Sequence, residues 1–170
     1  MIIIGVDPGK GGALAMIGAE WPPELIVKET VDFLVPTGKG DMRDYEPNRM
    51  VRWLRDRITF DPGTALAIVE KQSARPGQGV SSMLSLGMGE GLWLGIFAAL
   101  AIPVVRVAPA TWTAAILKGA PGEGKARAIS VASNLYPGLE LPRAKARAQA
   151  IADAVCILRY GELRCCKAER

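Results

Sequence analysis

Met1-Ile2-Ile3-Ile4-Gly5-Val6-Asp7-Pro8-Gly9-Lys10-Gly11-Gly12 opens the chain, and the fold turns on how this stretch is read. Ile2, Ile3, Ile4 and Val6 make a β-branched run of the kind that forms a buried central strand. Asp7 ends that run with a carboxylate, at a place where burying charge is costly. Pro8 and Gly9 turn the chain, and Gly11-Gly12 let it return as a second strand over residues 13–17. Such a strand can hold one acid rigidly at a cleft. An ordinary hairpin in which Asp7 caps the turn has the same local signature.

Outward from this hairpin, residues 25–34 alternate well enough for a third strand, and residues 36–44 read as a polar loop. Pro47 starts a helix in which Met50, Val51, Leu54 and Ile58 recur at helical spacing, with Arg49, Arg52, Arg55 and Arg57 largely on other faces. Asp61-Pro62-Gly63 ends it. Residues 65–69, Ala-Leu-Ala-Ile-Val, form a second buried strand, and it too ends in an acid, Glu70. Ser81-Ser82 can cap a long helix running to about Ala101. Within it Gly87, Gly91 and Gly95 fall at four-residue intervals, each costing about 1 kcal/mol of helix propensity. That cost implies close backbone approach along one stripe, either onto the sheet or between helices across a dimer interface. Residues 102–107 form a short strand whose Pro103 favours its first position or a sheet edge. Short helices follow over 109–117 and about 125–135, separated by a glycine-rich turn, and a last helix spans about 144–160. The order is that of one mixed α/β domain over residues 1–170, opened by a three-strand antiparallel meander and continued by parallel strands.

Histidine is absent from the sequence. That removes Ser-His-Asp and Cys-His catalysis and histidine-type zinc sites. Hydrolysis would then rest on carboxylates, lysines or metal-bound water. Cys156, Cys165 and Cys166 are odd in number, lack metal-ligand spacing and read as reduced thiols of a cytoplasmic protein. The start of the chain has no secretory leader pattern. The apolar stretch 92–105 is broken by Pro103 and too short for a bilayer, so the reading is a soluble protein without a membrane partner. Residues 1–105 carry ten Lys/Arg against twelve Asp/Glu, whereas residues 106–170 carry eleven against five. A basic final third on a mildly acidic body suits an anionic polymer, although a solvated basic surface has the same composition.

Asp153 lies among Ile151, Ala152, Ala154 and Val155, a segment that normally excludes charge. An acid in such a run is paired, capped or bound to a metal. With Asp7 and Glu70 it makes three hard oxygen donors, which select Mg²⁺ or Mn²⁺. Two such ions about 4 Å apart can activate water and stabilise the leaving oxygen of a phosphodiester.

The opening Ile-Ile-Gly-Val-Asp-Pro-Gly-Lys-Gly-Gly-Ala-Leu-Ala resembles the first motif of RuvC-type Holliday junction resolvases, particularly their small phage and prophage relatives. The resemblance continues through Ala-Ile-Val-Glu-Lys-Gln (67–72) and Gly-Val-Ser-Ser-Met-Leu-Ser-Leu-Gly-Met-Gly (79–89). Ile-Pro-Val-Val-Arg-Val-Ala-Pro-Ala-Thr-Trp (102–112) and Ala-Ile-Ala-Asp-Ala (150–154) extend it, so the motifs run in order along most of the chain. The resemblance implies an RNase H-like fold, a homodimer, and Mg²⁺-dependent incision of branched DNA such as a four-way junction. By motif match, Asp7, Glu70 and Asp153 are its metal carboxylates. Resolvases of this type usually carry a fourth acid, or a histidine, three or four residues before the last Asp. Here those positions are Ala150 and Gln149, and Gln149 offers a neutral oxygen only. This departure leaves a second expectation: a branched-DNA-binding protein of the same fold that cuts slowly or not at all. A nucleotide-binding fold of the actin and sugar-kinase type shares the glycine-rich turn but needs two domains around the nucleotide.

Seven basic residues are candidate DNA contacts. Lys10 and Lys71 adjoin proposed catalytic acids, and Lys118 and Lys125 flank the glycine-rich turn. Arg143, Lys145 and Arg147 cluster at the start of the last helix, where 143 and 147 are one turn apart and could follow a phosphate backbone.

Overall fold

A computed structural model describes residues 1–18, 23–38, 40, 42–58, 64–73, 76–124 and 126–168. The β-branched opening forms β1 (Ile2–Asp7), the middle strand of a five-stranded sheet. Gly11-Gly12 return the chain as β2 (Ala13–Ile17), antiparallel to β1 with Asp7 opposite Ala13. β3 (Leu25–Glu29) pairs antiparallel with β2. On the other side of β1 lie β6 (Ala65–Glu70) and then β7 (Val104–Val107), both parallel to it, giving the order β3-β2-β1-β6-β7. The expected meander and parallel strands are therefore both present, and Pro103 immediately precedes an edge strand.

The third strand is shorter than its alternation predicts. After Glu29 the chain enters a 3-10 turn, Thr30–Phe33, and its first amide donates to Gly12 O at 3.0 Å. Phe33 is buried there, edge-on to Trp53 and Trp93 with centroids 6.1 and 5.9 Å away. The chain then forms β4 (Leu34–Pro36), which pairs with β5 (Arg43–Tyr45) in a separate two-stranded sheet. Part of the region expected to be loop is thus a hairpin, held by the buried Phe33 and Tyr45 rather than by an apolar run.

The two faces of the central sheet are covered differently. Ile2, Ile4, Val6, Leu14 and Met16 meet α1 (Pro47–Arg55) and α2 (Val80–Ala99) in one core. Ile3, Ala13, Ala15 and Ile68 meet α3 (Pro109–Ile116), α4 (Ala126–Leu135) and α5 (Lys145–Ala168) in the other. α2 starts one residue before the expected serine caps, with Gly79 in extended conformation at its N-cap and no side-chain cap bond. α5 runs eight residues beyond Tyr160, the expected end. Gly161 is tolerated inside it because the helix presses on the sheet: a Cβ there would lie 2.6 Å from Ile68 Cγ1 and 2.9 Å from Ile3 Cγ2. Gly5 does the same from the strand side, since a Cβ on it would collide with Ala154 O and Leu158 N of the α5 backbone.

The glycines of α2 are not packed on the sheet. Added Cβ atoms on Gly87, Gly91 and Gly95 would meet nothing within 4 Å, whereas one on Gly89 would strike Pro8 O and the Tyr45 hydroxyl. α2 is also, by length and composition, the one helix among the described residues that could cross a membrane, which the shorter apolar stretch read from sequence did not anticipate. Burial accounts for part of this composition, 28% of the apolar window: Trp93 and Phe97, stacked at 5.6 Å, fill the core, and Glu90 is an ion-pair partner.

Candidate active site

Side chains alternate along a strand, so Ile3, Gly5 and Asp7 share one face of β1, and Leu66, Ile68 and Glu70 share the same face of β6. β1 and β6 run parallel with Val6 beside Val69, which sets Asp7 and Glu70 at neighbouring strand ends. α5 covers this face. Its contact with Gly5 is through Ala154, the residue after Asp153, so the helix brings Asp153 to the same end of the sheet. All three acids are half-buried. Three carboxylates predicted from separate apolar runs thus lie towards the C-terminal ends of the inner strands, two on the sheet and one on the helix above it.

Glu70 and Asp153 each accept hydrogen bonds from neighbouring side chains. Trp112 Nε1 on α3 donates to Glu70 Oε2 at 2.7 Å, and Gln72 Nε2 donates to Glu70 Oε1 at 3.3 Å. Gln149 Nε2 donates to Asp153 Oδ1 at 2.8 Å, one helical turn away. Gln149 is therefore the position that faces Asp153, while Ala150 is buried in the core and cannot stand in for a fourth ligand. Between α5 and α4, burial and then the Asp153 carboxylate push the Cys156 thiol up to about 12, so this thiol is neutral, and it lies 3.7 Å from Ala128 O. Cys156 is buried and in no disulfide.

The turn after Asp7 is braced from the opposite face. Tyr45 OH on β5 donates to Pro8 O at 3.2 Å. Burial, with the Asp44 and Asp7 carboxylates, pushes this hydroxyl up to about 12, which keeps it a donor throughout the neutral range. Lys10 Nζ donates to Arg43 O at 2.7 Å and pairs with Asp44 at 3.2 Å. The end of β6 is braced by a buried acid that the sequence reading passed over. Glu90 is 5% exposed, pairs with Arg106 at 2.6 Å, and accepts from the Gln72 backbone amide at 3.1 Å. It is the single acid in the apolar helix α2, so the argument that singled out Asp153 applies to it unchanged.

The donor chemistry suits a hard divalent cation. Among the described residues, however, no group of three or more His, Cys, Asp or Glu side chains is gathered closely enough to hold one. Glu70 is turned to Trp112 and Gln72, and Asp153 to Gln149, so the acids suit a cation in donor type but are not gathered into a ligand set. Ligation then requires Glu70 and Asp153 to exchange neutral donors for metal. Of the basic candidates, Lys71 shares a cleft with one of the acids. Lys10 and Arg147 line one cleft with Glu29 and Arg43, and Lys71 lines a second, of ≈ 220 Å³, with Glu70, Gln72 and Ser73. Lys118, Arg143 and Lys145 are exposed. Arg147 makes a two-pronged pair with Glu29, both contacts at 2.6 Å, and Arg143 precedes α5, so the two do not share a helix turn. Lys125 lies outside the described residues.

No protein-family model matches the sequence, and no curated protein does. Among solved structures the chain is similar to a Thermus thermophilus RuvC in complex with a Holliday junction substrate, with a TM-score of 0.64, 19% identity and 96% of each chain covered. The fold is that of RuvC. A second Thermus thermophilus RuvC structure agrees, with a TM-score of 0.59, 20% identity, and 96% of this chain and 97% of that one covered. The RuvC-like, α/β RNase H-like fold thus extends over nearly the whole chain, as the ordered motifs implied.

Proposed function

We propose that this protein is a structure-selective DNA endonuclease that cuts branched DNA, four-way junctions above all, by divalent-metal-dependent hydrolysis. The observation that carries the reading is the placement of Asp7, Glu70 and Asp153 towards the C-terminal ends of the inner strands of a RuvC-like sheet, from three separate elements. When bound there, Mg²⁺, or Mn²⁺ in its place, supplies Lewis-acid stabilisation of the phosphodiester and an activated water. Asp7 and Glu70 hold their carboxylates from rigid strand ends, and Asp153 closes the set from α5. Trp112 and Gln72 orient Glu70. Lys10 and Lys71, at the two clefts beside these acids, with the exposed Lys118, Arg143 and Lys145, supply sequence-independent phosphate contacts. Lys125 and Arg147 belong to the same proposal, Arg147 at the cost of its pair with Glu29. The expected setting is cytoplasmic, in a bacterium or a phage-infected cell. The test is incision and binding of a synthetic four-way junction against linear duplex of the same sequence, with and without Mg²⁺. Selective, Mg²⁺-dependent incision is expected; equal cutting of the duplex contradicts junction selectivity.

Two nicks placed symmetrically across a junction need two sites related by a two-fold axis, and we assign the dimer contact to α2. Val80, Leu84 and Met88 are 77%, 70% and 39% exposed, and with Gly87, Gly91 and Gly95 they make an uncharged helix face. Because a Cβ on Gly91 meets nothing within the chain, Gly91→Leu is expected to fold normally yet shift the protein towards monomer in sedimentation velocity. An unchanged dimer removes this face from the interface.

A second reading, a junction-binding protein with weak or absent cleavage, is favoured by the Gln149 amide on Asp153. Gln149→Glu keeps the shape and adds a carboxylate one turn from Asp153. Under the endonuclease reading it lowers the Mg²⁺ concentration needed for half-maximal incision, by about tenfold if the added charge contributes about 1.4 kcal/mol. Binding measured in Ca²⁺ changes little. An unchanged Mg²⁺ profile in a folded variant means that the three acids suffice.

A further inference from the structure

We propose that the outer face of α1 is a second DNA-binding surface, a basic track that takes the phosphate backbone of a duplex arm leaving the site. The inference rests on the branched-DNA reading above. Successive helical residues turn by about 100°. Arg49, Arg52 and Arg55 therefore share an arc whose centre lies opposite the buried Met50 and Leu54. All three are exposed, and none belongs to an ion pair among the described residues. Arg57 differs, because its guanidinium lies 4.4 Å over the Trp53 ring and donates to Trp53 O.

Helix stability alone does not account for the three. Cations near a helix C-terminus complement the macrodipole, which suits Arg52 and Arg55 in the last turn. Arg49 sits in the first turn, where a positive charge opposes the dipole, and the capping Glu46 carboxylate accepts from the Asn48 amide and forms no ion pair with Arg49 among the described residues. A cation kept where the helix disfavours it points to a partner outside the helix. Its position fits such a partner. Arg49 follows Tyr45 by four residues, and the Tyr45 hydroxyl is bonded to Pro8 O, next to Asp7. α1 thus starts two residues after the ring that braces the turn following Asp7, and the track runs along it for about 9 Å, at about 1.5 Å per residue. It lies on the sheet face covered by α1 and α2, away from α5 with Lys145 and Arg147. A duplex arm is favoured over a membrane surface because the apolar residues of α1 are spent in the core: Met50 and Leu54 are 0% exposed.

Salt dependence of DNA binding reads the number of phosphate contacts, each contributing about 0.9 to the slope of log K against log salt. The full chain is titrated with a four-way junction and with linear duplex in Ca²⁺. Arg49→Gln/Arg52→Gln/Arg55→Gln is expected to lower the slope by about 2.7 on the junction. Arg49→Gln alone lowers it by about 0.9, a test that survives if the triple variant fails to fold. The triple Lys variant keeps the wild-type slope. An unchanged slope in the folded Gln variants overturns the proposal, and so does loss of binding to anionic phosphatidylserine vesicles with DNA binding intact. If the wild-type chain binds neither DNA, the branched-DNA reading itself fails, a result separable from an unchanged slope.

Discussion

Asp7→Asn is expected to abolish incision of a four-way junction while leaving junction binding within a fewfold of wild type. Asn preserves the size and most of the hydrogen-bonding shape of Asp but removes the charge that a hard divalent cation requires of its ligands. Cation stabilisation of the transition state is a matter of several kcal/mol, and each 1.36 kcal/mol is tenfold in rate, so a loss of ~10³-fold or more follows. The fold should be unaffected, because Asp7 is at the open end of β1 and its neighbours Val6 and Pro8 are held by the strand pairing and by Tyr45. A variant that cuts at the wild-type rate removes Asp7 from the site.

The second large effect is expected at an uncharged position, Gly5. The α5 backbone passes so close to β1 that a Cβ on Gly5 collides with Ala154 O and Leu158 N and lies 2.8 Å from Leu158 Cα. None of these atoms can rotate away as a side chain could. Overpacking costs typically 1–3 kcal/mol and more when the backbone must shift. Gly5→Ala should therefore destabilise the protein by about 3 kcal/mol or more, a fall in Tm of roughly 6–12 °C for a chain of this size. Incision should be lost even below the new Tm, because a displaced α5 carries Asp153 away from Asp7 and Glu70. Gly11→Ala is the control: nothing lies within 4 Å of its Cβ, and its stability should stay within about 0.5 kcal/mol of wild type. A Gly5→Ala protein as stable as wild type would mean that the close approach of α5 is not what positions Asp153.

These two positions also show what was legible in the sequence. The strand ends at Asp7 and Glu70 could be read because β-branched runs are unambiguous and an acid at their limit stands out. Asp153 was readable for the same reason on a helix. Gly5 was read only as a member of a strand. Its role depends on an approach between residues about 150 positions apart, which no local pattern records. The β4–β5 hairpin was missed because Arg43-Asp44-Tyr45 carries no apolar alternation. Its register rests on one buried ring, with Asp44 held below the usual carboxylate range by the Tyr45 amide and then by Lys10. The third strand was overextended because alternation persists through a segment that the Phe33–Trp93 contact turns inward. The four glycines of α2 look alike in sequence, and only their three-dimensional surroundings separate Gly89, against Pro8 O and Tyr45, from the other three. Glu90 was legible by the rule applied to Asp153.

The central claim is that Asp7, Glu70 and Asp153 together bind a catalytic divalent cation, even though Glu70 and Asp153 are turned to neutral donors in this structure. The measurement that tests it most directly is a Mn²⁺ titration of the full chain by electron paramagnetic resonance, without DNA and then with an uncleaved junction bound. Saturable Mn²⁺ binding that the junction strengthens, and that Asp7→Asn and Asp153→Asn each abolish, is the predicted result. Wild-type protein that binds the junction yet takes up no more Mn²⁺ than either variant would contradict it.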